Sequence, residues 1–278
     1  MIKTKKFQRE TILVADSCAG GLDVLRYFLA WAGEYELLYL ADGKRNPFGL
    51  KTKEEIKEII INWIEKFQKM FPNLVLVVIA CNTASIAVLK NKKSIEQRFG
   101  IPIVTMLDGV NLSLSKNIKR ISGKKVLITG TKYTINSNEY QKLLRRAEPK
   151  KLYSLCATKS EKFIARGLEK NKSFKKEVLD ELSKYKNKSI ETIFLGCTCF
   201  EFIKYQLKRL YGNDTFFLNP AKEVSEMAKF KLQPKEKRKK LNNVKIYTTG
   251  DLRIWKKNIN LISNKIFGKK LKIKKLRI

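Results

Sequence analysis

The chain is 278 residues long and 44% hydrophobic, enough for two ordinary domains with real cores and too apolar for a disordered polymer. No apolar run approaches the roughly 20 residues that cross a bilayer, and the basic start Met1-Ile2-Lys3-Thr4-Lys5-Lys6-Phe7 lacks a signal-peptide core, so a soluble cytoplasmic protein is expected. The formal net charge of +33 reads either as a surface for nucleic acid or anionic membrane or as compositional bias; its spread over most of the chain and the lack of a stacking-aromatic motif favour bias.

From the N-terminus, strands and helices alternate. Strands are predicted at 11–16, 36–41, 74–80, 103–106, 125–129, 151–155, 192–196, 215–218 and 244–248. Helices are predicted at 22–31, 53–70, 84–90, 110–116, 134–146, 160–168, 174–184, 200–210, 221–230 and 252–267. The strands are mostly continuous apolar runs, as parallel strands covered on both faces require. Such alternation is the pattern of an α/β protein. Two segments share a plan, an early strand ending in a polar turn and a later strand ending in a cysteine. The expected fold is therefore α/β: two pseudo-symmetric parallel-sheet half-domains flanked by helices, with the active site in the cleft between them. Residues 1–102 plus 213–278 are expected in the first domain and 103–212 in the second. The charged stretch 234–243 reads as a solvated connection, and the Lys-alternating tail 268–278 as a peripheral strand or a mobile end.

Four strand-end loops collect the unusual residues. Asp16-Ser17-Cys18-Ala19-Gly20-Gly21 leaves the first strand; its Asp and Ser can cap a helix or meet a ligand, and its glycines permit a tight turn. The loop from Ala41 to Gly49 is either a plain turn or a way to bring backbone N–H groups and Phe48 onto a carboxylate. No glycine-rich phosphate-binding pattern occurs at a strand-to-helix turn. The third apolar run opens into Cys81-Asn82-Thr83, and the run Ile193-Phe194-Leu195-Gly196 into Cys197-Thr198-Cys199. A thiol at a strand end and helix start sits where open α/β sheets bind ligands and where the helix N-terminus favours thiolate. A lone cysteine in such a core is usually a small buried hydrophobe. Two at equivalent strand ends, each followed by hydroxyl or amide side chains, point to a pair of groups facing one small molecule.

The five unevenly spaced cysteines argue for free thiols over a disulfide framework. The chain has no histidine, so acid–base chemistry falls to Cys, Asp, Glu, Lys or Tyr. Cys197-x-Cys199 with Cys18 is not a usual zinc spacing, and no metal site is expected.

Asp16-Ser17-x-x-Gly20-Gly21-Leu22, Ala41-Asp42-x-x-Arg45-x-Pro47-Phe48-Gly49, Ala80-Cys81-Asn82-Thr83-Ala84, Ile101-Pro102-Ile103, Gly130-Thr131-x-x-Thr134-x-x-Ser137-x-x-Tyr140, Leu195-Gly196-Cys197-Thr198, Asn219-Pro220-Ala221 and Tyr247-Thr248-Thr249-Gly250-Asp251 occur in this order over nearly the whole chain. In combination they resemble the glutamate racemases of the aspartate/glutamate racemase superfamily. The resemblance implies a cofactor-independent racemase that interconverts L- and D-glutamate, the D-isomer feeding peptidoglycan synthesis. It implies that one of Cys81 and Cys197 takes the α-proton from one face while the other returns a proton to the opposite face. It also implies that Asp16 holds the substrate ammonium or assists Cys81. Ser17, Phe48, Gly49, Asn82, Thr83, Thr131, Thr134, Thr198 and Cys199, with backbone N–H groups, are then expected around the substrate. Family members dimerise in several arrangements, so a homodimer is one expected assembly.

The chain departs from the family at four places. The family's Cys-Thr-His is Cys197-Thr198-Cys199 here. The family's glutamate, aligned through Cys156 and Gly167, falls on Ile164, Ala165 or Arg166, with Glu161 one turn earlier. The histidine and its acidic partner are thus expected to be missing together. Cys18 stands where Gly is usual, and Phe48 where Tyr is usual. One reading is retained glutamate racemisation, with Cys197 activated by its helix N-terminus, basic surroundings and Cys199. The others are a drifted homologue with weak activity or a binding role toward nucleic acid or DNA gyrase, and a racemase of another acidic amino acid such as aspartate. One-methylene discrimination depends on pocket size, which a sequence does not display. Both primary cysteines and most donor positions remain, which favours the first.

Overall fold

The structure is a computed structural model that describes residues 9–165, 172–234, 244–253 and 272–277, together with Trp255, Lys256, Ile259 and Asn264. Its strands are β1 (Thr11–Asp16), β2 (Glu36–Ala41), β3 (Leu74–Ile79), β4 (Ile103–Thr105), β5 (Lys125–Gly130), β6 (Lys151–Cys156), β7 (Thr192–Gly196), β8 (Phe216–Leu218), β9 (Val244–Thr248) and β10 (Ile273–Lys275). They form two sheets, one of order β10-β9-β2-β1-β3-β4 and one of order β6-β5-β7-β8. Every pairing is parallel. The helices are α1 (Leu22–Phe28), α2 (Lys53–Met70), α3 (Asn82–Ala87), α4 (Lys92–Phe99), α5 (Met106–Lys116), α6 (Lys132–Asn136), α7 (Glu139–Arg145), α8 (Thr158–Ala165), α9 (Lys172–Leu182), α10 (Lys204–Tyr211) and α11 (Ala221–Leu232). The α/β architecture of two parallel sheets flanked by helices is the one expected.

Burial explains why the central strands read as unbroken apolar runs. Ile12, Leu13, Val14 and Ala15 of β1 are all fully buried, with odd and even positions feeding different clusters on the two faces of the sheet. One face is covered by α2. It starts at a capping box in which Thr52 Oγ1 accepts from Glu55 N–H while Glu55 accepts from Thr52 N–H. From there Ile56, Ile60, Trp63, Ile64 and Phe67 recur at helical spacing and are wholly buried. Truncating Trp63 to alanine removes the largest side chain of this face and costs about 3–5 kcal/mol, readable as a lower denaturation midpoint.

The chain passes between the sheets twice. α5 leads from β4 to β5, and α11 precedes β9 after β8; the two helices pack on each other. Their crossing is close because of Gly109: a Cβ there would lie 2.4 Å from Val224 Cγ2.

Several boundaries differ from the sequence-based expectation. A division after 102 and again after 212 puts 103–105 with the second sheet and 216–218 with the first, whereas β4 pairs with β3 and β8 with β7. Pairing registers, not the Cys-ended plan of each half, set these edges. The segment predicted as one helix over 134–146 is α6 and α7, separated at Asn138, which takes a left-handed φ of 59°. The helix predicted from 200 opens as a 3-10 segment, Thr198–Ile203, before α10. α4 is absent from the predicted helices, and residues 273–275 of the tail form the outer strand β10, beside β9. Most of the helix predicted at 252–267 lies outside the described residues. No described helix is long and apolar enough to cross a membrane.

Candidate active site

Parallel strands end on the same side of their sheet, so the loops after β1, β3, β5 and β7 can meet only if the two sheets face each other by those ends. They do. β1 and β3 are neighbours in the first sheet and deliver Asp16-Ser17 and Cys81; β5 and β7 are neighbours in the second and deliver Thr131 and Cys197. Gly130 is in register with Gly196, so Thr131 and Cys197 leave their strands at the same level. Cys81 and Cys197 both have extended backbone and each is the N-cap of the segment that follows, α3 and the 3-10 turn respectively.

Direct polar contacts cross the cleft. Thr198 Oγ1 donates to Asp16 Oδ2 at 2.9 Å. Thr83 Oγ1 lies 3.0 Å from Thr131 Oγ1 and 3.2 Å from Thr134 Oγ1. Tyr140 OH donates to Asn82 Oδ1 at 2.5 Å. Asn46 Nδ2 reaches Glu161 Oε1 at 3.5 Å while also donating to Ser17 Oγ at 3.4 Å. Backbone contact is equally tight: a Cβ on Gly20 would lie 2.3 Å from Thr198 Oγ1 and 2.7 Å from Cys199 N. Only glycine allows the first loop to rest on the second thiol segment.

The cavity between these walls is lined by Asp16, Ser17, Cys18, Phe48, Gly49, Cys81, Asn82, Thr83, Thr131, Glu161, Cys197 and Thr198. Its volume is about 10 Å³, the least that holds a single water. A cavity of this size is too small for an organic ligand as it stands. Of the expected site residues, Thr134 and Cys199 do not line it. Thr134 is fully buried behind Thr83 and Thr131, and Cys199, 1% exposed, places its Sγ 3.1 Å from Cys197 Sγ. Phe48 is anchored by stacking on Trp63 at a centroid distance of 5.7 Å, and Trp63 Nε1 donates to the buried Asp42 carboxylate at 2.6 Å.

Glu161 adds a carboxylate to the expected set: one turn before the positions aligned with the family's glutamate, it is 3% exposed and lines the cavity. α8 starts at Thr158 directly after the strand-end turn, with Glu161 N–H bonded to Ala157 O, so Glu161 sits in its first turn. Ile164, Ala165 and Arg166 come after that inward position, and Arg166 lies outside the described residues. An acidic residue in the first turn after a strand end is the signal that finds it. Cys18, noted in the sequence as a departure from glycine and weighed with Cys197 and Cys199 as a metal spacing, is the other lining residue outside the expected set.

No lysine or arginine is among the lining residues, so anionic groups here are stabilised by dipoles and hydroxyls. Burial pushes the Asp16 carboxyl up to about 6, against the opposing hydrogen bonds from Thr198 and the Gly21 N–H. Burial, then the Asp16 charge, holds the Cys81 thiol well above the usual range, while the Ala84 N–H and Ser17 favour its thiolate. Cys18 is raised by burial and by Asp16, and Cys199 by burial and its hydrogen bond with Cys197. In the closed cavity Asp16 is therefore largely ionised at neutral pH and Cys81 is a protonated thiol.

Comparison with known proteins agrees with this geometry. The sequence model of the family described as Asp/Glu/Hydantoin racemase matches residues 36–221. A glutamate racemase of Limosilactobacillus reuteri is 28% identical over 246 residues, 87% of this chain and 89% of its own length. Among solved structures, a glutamate racemase isoform from Bacillus anthracis superposes with a TM-score of 0.76 at 25% identity, over 97% of this chain and 98% of that one. Glutamate racemase from Francisella tularensis, solved in complex with D-glutamate, gives 0.77 at 21% identity over the same shares. The chain belongs to the Asp/Glu/Hydantoin racemase family and is an isomerase of the amino-acid racemase type.

Proposed function

We propose that the protein is a cofactor-independent glutamate racemase in which Cys81 and Cys197 are the two acid–bases. The observation that carries this reading is the placement of two thiols at equivalent strand ends of two opposed sheets, both lining one cavity beside a buried carboxylate. Inverting a stereocentre by proton exchange needs a base on one face and an acid on the other. Two thiols can exchange those roles, so one site serves both directions.

In the forward step the Cys81 or Cys197 thiolate takes the α-proton, leaving a carbanion-like centre conjugated with the α-carboxylate. The opposite thiol then delivers its proton to the other face. Asp16 orients the ammonium and keeps it close to Cys81. Thr83, Thr131 and Asn82, with neighbouring backbone N–H groups, hold the carboxylates, Thr198 steadies Asp16, and Thr134 fixes the hydroxyls of Thr83 and Thr131. A closed, dry cavity strengthens these dipoles when charge develops at the α-carbon. Glu161 and Cys199 act on the Cys197 side, where the Cys199 and Cys197 sulfurs share a hydrogen bond at 3.1 Å. The product D-glutamate serves peptidoglycan precursor synthesis, and the reduced thiols fit a cytoplasmic site of action.

Purified protein given L-glutamate or D-glutamate in deuterated water is the test. The expected outcome is convergence of both to the racemate with one deuteron incorporated at Cα, and much slower turnover of aspartate. Absence of α-exchange with either glutamate enantiomer overturns the reading.

A further inference from the structure

Cys197 and Cys199 are both free, both buried, and 3.1 Å apart sulfur to sulfur, about 1 Å beyond the S–S bond length. We propose that this pair is a redox-modification site: a hydroperoxide oxidises it to an intramolecular disulfide that withdraws Cys197 from the cavity chemistry. The local backbone suits closure. Cys197 is extended, with φ −145° and ψ 132°, and Cys199 lies in the 3-10 turn that follows it, so the two side chains already face each other across one residue.

Exposure sets the order of events. Cys197 lines the cavity and is 9% exposed, whereas Cys199 lies behind it at 1%. An oxidant that reaches the cavity meets Cys197 first. The Cys197 thiolate attacks the distal peroxide oxygen, the O–O bond breaks, and the leaving oxygen departs as alcohol or water, giving the sulfenic acid. Cys199 then gives up its proton and attacks the Cys197 sulfur; the S–O bond breaks and water leaves. Two thiols and one hydroperoxide thus become one disulfide, one alcohol and one water, the two electrons passing from sulfur to the peroxide.

Two other thiols serve as internal comparisons. Cys18 is also buried in this cluster, but its Sγ is engaged by the Gly20 N–H at 3.3 Å and donates toward Asp16 Oδ2 at 3.8 Å. Cys156 is exposed, with the Thr158 hydroxyl at 3.3 Å as its neighbour. Solvent access alone favours oxidation of Cys156; pre-set geometry favours the Cys197–Cys199 disulfide.

The experiment is oxidation of the full-length protein with equimolar hydrogen peroxide, followed by alkylation, trypsin digestion and mass spectrometry. Residues 189–204 form one tryptic peptide carrying both sulfurs. The expected result is loss of two hydrogens from that peptide in most molecules, reversed by dithiothreitol. In Cys199→Ser the same treatment stops at a dimedone-reactive sulfenic acid on Cys197. The proposal is overturned if both thiols stay alkylatable while Cys156 oxidises, or if Cys18 is the disulfide partner. The effect on turnover rests on the racemase reading, but the mass readout does not. Disulfide formation without loss of racemisation counts against that reading alone, and loss of racemisation without the disulfide counts against the redox site alone.

Discussion

Cys81 and Cys197 each follow a buried parallel strand and cap the segment after it, yet their neighbours differ. Cys81 has the Asp16 carboxylate, the Ser17 hydroxyl at 3.7 Å and the Ala84 N–H. Cys197 has another thiol at 3.1 Å, and the hydroxyl next to it in sequence, Thr198, is turned to Asp16 across the cleft. Fold symmetry therefore supplies two equivalent thiol positions, while side-chain identity makes the two walls chemically unequal. Thermodynamics limits where that inequality can appear. Enantiomers have equal free energy in water, so kcat/KM is the same in both directions, and the asymmetry is confined to how kcat and KM divide.

The largest effect is expected from removing either thiol. Cys81→Ser and Cys197→Ser should each lower racemisation by on the order of 10³-fold or more in a circular-dichroism assay, because a hydroxyl is a far poorer base near neutral pH. Near wild-type turnover in either variant breaks the equivalence of the two walls.

Asp16→Asn tests the Cys81 wall through stability. The Asp16 carboxyl titrates at about 6 in the fold against an ordinary value of 3.8, so the folded state binds its proton more tightly than the unfolded state. Stability then falls as pH rises through that window, and the cost, about 3 kcal/mol, is complete above it. Asparagine keeps an acceptor for Gly21 and Thr198 without the buried charge. It should raise the melting temperature at pH 8, leave it nearly unchanged at pH 4, and lower activity by weakening ammonium binding. A lower melting temperature at pH 8 contradicts the burial argument.

Glu161→Gln addresses the Cys197 wall. It should reduce kcat by about 100-fold, the low end for a group assisting proton transfer, with the two directions affected unequally in kcat and KM. Equal changes in both would remove Glu161 from that wall specifically. The smallest effect is expected for Cys199→Ala, about tenfold in kcat, one weak donor's worth of thiolate stabilisation.

Much of this organisation is legible in the chain itself. β1, β2 and β7 have the bounds expected from their apolar runs, because a strand buried on both faces needs an apolar residue at nearly every position; β9 has its expected bounds too, although Val244 and Lys245 are half-buried. α2 is equally legible, since its capping residues and helical spacing agree. Short elements are less so: α4 buries only Ile95, leaving almost no periodic signal. The edge strands β4 and β8 are legible as strands but not by sheet, because only hydrogen-bond register decides which sheet a three-residue strand joins.

The site divides the same way. Sequence by itself placed the two thiols and Asp16 at the ends of apolar runs, and the resemblance to the racemases supplied the hydroxyl donors. Only the tertiary structure decided that Glu161 is present at the site, that Thr134 stands behind it, and that Cys199 lies within 3.1 Å of Cys197. Those facts depend on how far one helix turn rotates and how closely two sheets approach, quantities set by packing across residues distant in the chain. Local pattern names the groups that can do chemistry; packing decides which of them share a cavity.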